Sequence, residues 1–147
     1  MPTAAKLIGL ILFALIGAAV ALRLPAYLPE GMRTTLLLPL TVAVTGVLGW
    51  RIAGRRSGGQ SYADAAQTGL LTVALSVLSL LALFGTMEML RLTQRMIYKD
   101  PLEAILGIFE QALKFAPLLA KADLLVVMGA GGILAGLACE AAGRRWS

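Results

Sequence analysis

Four stretches of this chain contain no aspartate, glutamate, lysine, arginine or histidine: 7–22, 34–50, 65–87 and 124–139. Crossing a hydrocarbon core of roughly 30 Å takes about 20 helical residues, and a helix satisfies every backbone N–H and C=O within the crossing segment. The sixteen residues from Leu7 to Leu22 lack any charged or hydrogen-bonding side chain. As a helix they cover about 24 Å, and Lys6 and Arg23 can snorkel across the remainder. Composition agrees, because 59% of residues are apolar where a globular domain has about 45–50%. Only 14% are charged, gathered between the runs.

The expected fold class is therefore all-α, a polytopic membrane protein with a single membrane domain over 1–147. Its spans are placed at about 6–24, 34–52, 65–90 and 118–141, with an amphipathic helix at about 101–116 between spans three and four. The first run has a second reading as a signal peptide: a short basic start precedes it and Ala19, Val20 and Ala21 form an A-x-A pattern. Cleavage there leaves three spans.

The formal charge is +5, a balance that in a soluble domain raises nucleic-acid binding. Here Lys6, Arg23, Arg33, Arg51, Arg144 and Arg145 sit beside apolar runs, where they meet phospholipid headgroups. The partner expected from charge is the lipid bilayer, with no nucleic acid. With four spans, the face carrying the termini holds six basic residues, namely Lys6, Arg51, Arg55, Arg56, Arg144 and Arg145. The other holds seven, namely Arg23, Arg33, Arg91, Arg95, Lys99, Lys114 and Lys121. A positive-inside count of six against seven leaves the orientation open, with a lean to cytoplasmic termini because the six are concentrated at span ends.

Histidine is absent and Cys139 is the single cysteine, which removes an intrachain disulfide, a CxxC pair, histidine-ligated zinc or haem, and a Ser/His/Asp triad. No catalytic, cofactor-binding or metal-ligating residue is expected. Cys139 lies in an apolar helix end and reads as packing. The loop GRRSGG at 54–59 lacks the Gly-Lys-Ser/Thr ending of a phosphate-binding loop and reads as a flexible basic loop able to meet anionic lipid.

Small residues mark helix-packing faces. Gly129, Gly132, Gly136 and Gly143 share a side of span four, with Gly132 and Gly136 forming a GxxxG. Gly69, Thr72, Ser76 and Ser79 share a side of span three. Such faces admit close helix approach, toward a second copy or another membrane protein; the alternative reading of the Ser76–Ser79 side is the lining of a solute path. Interfacial ion pairs are expected for Glu88 with Arg91 and for Glu140 with Arg144.

The third connection differs in character. Asp100, Pro101 and Glu103 read as N-cap, N1 and N3 of a helix with a capping box. Leu102, Ile105, Leu106, Phe109, Leu113 and Ala116 then form one stripe, and Glu103, Gly107, Glu110, Gln111 and Lys114 the other. A helix so divided lies on the membrane surface or against the bundle. Glu103 and Glu110 are oxygen ligands suited to a hard cation, but Lys114 at i+4 from Glu110 makes a charge-balanced face the simpler reading.

Several longer phrases, MPTAAKL at 1–7, LPEGM at 28–32, GWR at 49–51, DPLEAILGIFE at 100–110 and GGILAGLACEAAGRRW at 131–146, resemble TrgA-type tellurite resistance membrane proteins of alphaproteobacteria. The resemblance implies a small, multi-pass protein of the bacterial inner (cytoplasmic) membrane associated with tellurite tolerance, and it carries over no site residue. A chain without a dithiol or histidine is poorly equipped to reduce an oxyanion itself. The function expected is that of an accessory or partner-binding subunit without its own catalysis. The alternative is a transporter or channel subunit for an oxyanion or small solute.

Overall fold

The computed structural model describes residues 3–26, 34–94 and 100–146, and among these it contains helices and no strand. Helix α1 covers Thr3–Arg23. Helix α2 starts at Leu37 and runs to Arg56 with a π turn at Gly49–Ala53. Helices α3, α4 and α5 cover Tyr62–Thr93, Pro101–Leu119 and Ala122–Arg145. Four of the five, all but α4, are long and apolar enough to cross a membrane.

The four spans form an up-down-up-down bundle in which sequence neighbours run antiparallel, and α5 packs between α1 and α3. Gly9 and Phe13 of α1 meet Gly49 of α2, Gly17 meets Thr41 and Thr45, and Lys6 meets Gly54. Between α3 and α5, Ala65, Gly69 and Val73 meet Gly136 and Gly132. Two apolar clusters fill the interior: Val20, Leu24, Leu124 and Met128 at one level, and Phe13, Ala53, Ala135 and Cys139 at the other. Both draw on α1, so removal of the first helix takes Phe13 and Val20 out of the core. Many outward leucines, such as Leu7, Leu15, Leu78 and Leu134, are exposed, as helices facing lipid require.

Element bounds depart from the expected spans for local reasons. Span three begins at Tyr62 and not at 65, because Ser61 caps it: the Asp64 N–H donates to Ser61 Oγ at 3.2 Å and Ser61 Oγ donates to Asp64 Oδ2 at 2.8 Å. Residues 118–119, expected at the start of span four, instead end α4, whose last turn contains Pro117. The extended backbone of Lys121 separates the two helices. At its other end α5 runs on to Arg145, past the expected 141, with the Glu140–Arg144 pair spanning its last turns.

At 32 residues, α3 is about 48 Å long and outreaches the bundle. Helix α4 packs on this outer part: Phe84 and Phe115 are 6.4 Å apart between ring centroids, and Gly85 lies against Ile108 and Ala112. Asp100 holds the N-cap place in extended conformation with Pro101 at the helix start, yet its side chain makes no cap hydrogen bond. The Asp100 side-chain cap expected there is thus corrected to a proline-led start, with the ring fixing the first helical turn.

Candidate functional site

Three arrangements bear on function: a polar latch at one end of the bundle, the glycine crossing within it, and the outer face of α4. The latch is built from the last turns of α5 and the 57–61 connection. Glu140 is fully buried. Its Oε1 accepts from Arg144 Nε at 2.9 Å, and its Oε2 accepts from the Gly58 backbone N–H at 2.8 Å. Arg144 also donates from Nη2 to the Gln60 carbonyl at 2.6 Å and lies 4.6 Å over the Tyr62 ring. Gly58 has φ +105°, a region that side chains avoid, and faces Gly143 of α5. Thr68 Oγ1 donates to Gln60 Oε1 at 3.2 Å, and Ser57 Oγ donates to the Ala53 carbonyl.

This latch corrects the reading of 54–59 as a flexible basic loop. Gly54, Arg55 and Arg56 are the end of α2, and the short remainder is tied to α5. Glu140 and Arg144 form the expected i,i+4 ion pair at the end of the span, and the carboxylate is in addition buried and bound to the Gly58 backbone. Glu88 and Arg91 lie 3.5 Å apart at i,i+3 on the outer part of α3. Glu110 pairs with Lys114 at 2.9 Å, and both are exposed. No grouping of three or more histidine, cysteine, aspartate or glutamate side chains suited to a metal occurs among the described residues.

The glycine crossing is closed from within the chain. A Cβ on Gly69 would overlap the Gly132 carbonyl, one on Gly136 would overlap the Ala65 carbonyl, and one on Gly132 would stand 2.7 Å from Val73 Cγ2. Gly132 and Gly136 therefore serve the α3–α5 contact, and the expectation that this face receives a partner is corrected by its being already filled. Gly129 has open space. Thr72 and Ser76 are buried, and each hydroxyl donates to the carbonyl four residues back, Thr68 at 2.8 Å and Thr72 at 2.7 Å; Ser79 is half-buried. Beside them lies an apolar-walled cavity of about 20 Å³ bounded by Phe13, Gly17, Thr41, Thr45, Ser76 and Met128. That is space for about one water. Thr41 Oγ1, fully buried nearby, has no hydrogen-bond partner among the described residues.

Helix α4 has three sectors. Gly107 and Gln111 are buried and share the sector of Ile108, Ala112 and Phe115 that packs on α3. Glu103, Glu110 and Lys114 form an exposed charged edge. Leu102, Ile105, Leu106, Phe109 and Leu113 face outward, each between 52% and 71% exposed. The polar stripe is split: Gly107 and Gln111 stand on the same side as the charges in the sequence but are buried, next to Ile108 and Ala112, which lie against Gly85 of α3.

No protein-family model, curated protein or solved structure matches the chain.

Proposed function

We propose that the chain is a non-catalytic accessory subunit of the bacterial inner membrane, contributing to tellurite tolerance by presenting α4 to another membrane protein. The observation that supports this reading is the outward stripe Leu102, Ile105, Leu106, Phe109 and Leu113, on a helix already anchored along its other side to α3. Its i, i+3, i+4, i+7 spacing is that of an amphipathic helix offered to an apolar groove. The link to tellurite rests on the sequence resemblance alone. Replacing Leu106 and Phe109 together by glutamine, in cells that depend on the protein for growth on tellurite, is expected to reduce tolerance to the level of a deletion. Membrane content and thermal stability of the variant stay near wild type, because neither side chain is buried. Unchanged tolerance at equal protein level contradicts the docking role.

The transport reading finds one favourable feature, the orphaned Thr41 hydroxyl beside the small cavity. Against it, the Thr72 and Ser76 hydroxyls are spent on their own helix.

A further inference from the structure

We propose that the end of the bundle bearing Lys6, Arg51, Arg55, Arg56 and Arg145 is a collar for acidic phospholipid headgroups, which holds this end in the anionic, cytoplasmic leaflet. The inference is independent of what docks on α4. The five cations belong to one level: Gly54 packs on Lys6, and Ser57 and Gly58 pack on Gly143, bringing the ends of α1, α2 and α5 together. Arg51, Arg55, Arg56 and Arg145 are exposed. None of the five pairs with a carboxylate among the described residues. The two acidic side chains at this end are otherwise engaged, Glu140 by Arg144 and Gly58, and Asp64 by Ser61.

A second observation is independent of charge. Both tryptophans of the chain, Trp50 and Trp146, stand at this end with Tyr62, exposed by 47%, 63% and 54%. Amphipathic rings at one level of a bundle mark the headgroup region, and guanidinium groups among them match phosphate by paired N–H donors. The opposite end is built differently. Among the described cations there, Arg91 is paired with Glu88 and Lys114 with Glu110, while Arg23 is exposed at the end of α1. An acidic leaflet attracts unpaired cations gathered at one level, as the five are.

The test uses the full-length protein purified in a non-ionic detergent. Phosphatidylglycerol, phosphatidylcholine and inorganic phosphate are titrated in turn, with bound lipid read by native mass spectrometry and stability by thermal shift. Phosphatidylglycerol is expected to bind and raise Tm, whereas phosphatidylcholine and phosphate do neither. Each basic residue near an acidic surface contributes roughly five-fold in affinity, so Arg55→Gln with Arg56→Gln weakens phosphatidylglycerol binding on the order of thirty-fold. Lys114→Gln, at the other end, leaves it unchanged. Arg51→Gln with Arg145→Gln is the second variant, and it reads the same site through different helices. Equal binding of the two lipids, an equal effect of phosphate alone, displacement of the lipid by a short oligonucleotide at lower concentration, or wild-type lipid affinity in both double variants overturns the proposal.

Discussion

Glu140 divides its two oxygens between Arg144 on its own helix and the backbone of Gly58 on the far side of a connection. Replacing it by alanine strips Gly58 of its acceptor at a position where the backbone is already held in a conformation only glycine tolerates well. Glu140→Ala is expected to lower Tm and to open the 57–61 connection, read as faster tryptic cleavage after Arg55 and Arg56 in detergent-solubilised protein. Wild-type cleavage rates contradict the latch. The Arg144 half of this arrangement is readable from an i,i+4 spacing, which puts two side chains on one helical face. The Gly58 half is not, because a contact between residues 82 positions apart follows from how α2 and α5 pack and leaves no local pattern. Ser61 and Asp64 carry a signal that is local, S-x-x-D ahead of an apolar run, and it accounts for the earlier start of α3.

At the level of elements, the runs without charge specify the spans directly, since length and apolarity are what a bilayer demands. They do not specify partners. The small faces of α3 and α5 read as sites of close approach, but only the bundle shows that they approach each other. Gly132→Ala forces a methyl group against Val73 and is expected to destabilise the bundle by about 1–3 kcal/mol, the usual cost of overpacking. Gly129→Ala, with open space around it, is expected to be neutral or slightly stabilising. Equal effects of the two in reversible unfolding measurements contradict the assigned crossing. The π turn at Gly49–Ala53 was hidden for a similar reason. A Cβ on Gly49 would stand 2.6 Å from the Gly9 carbonyl oxygen and from Phe13 Cβ, so the irregularity answers to α1 and not to its own sequence. In α4 the amphipathic pattern specifies the helix and the members of its apolar stripe, but not that the stripe faces outward, which follows from the docking of the Gly107 and Gln111 side on α3.

Across the whole molecule, the interior is committed to helix packing. Both core clusters are apolar, the crossing of α3 and α5 excludes even a methyl group, and two of the hydroxyls nearest the centre are bonded to their own helix. What remains for interaction is peripheral: an apolar stripe on α4 at one end and unpaired cations among tryptophans at the other. A bundle organised in this way acts through its surfaces. The measurement that bears most directly on that claim is tellurite uptake into liposomes containing the purified protein, against protein-free liposomes, quenched within seconds and read by mass detection of tellurium. Equal uptake in the two preparations is the predicted result. Uptake that rises with the amount of protein, and falls when Ser76 and Ser79 are both replaced by valine, would contradict the account and establish a path through the bundle.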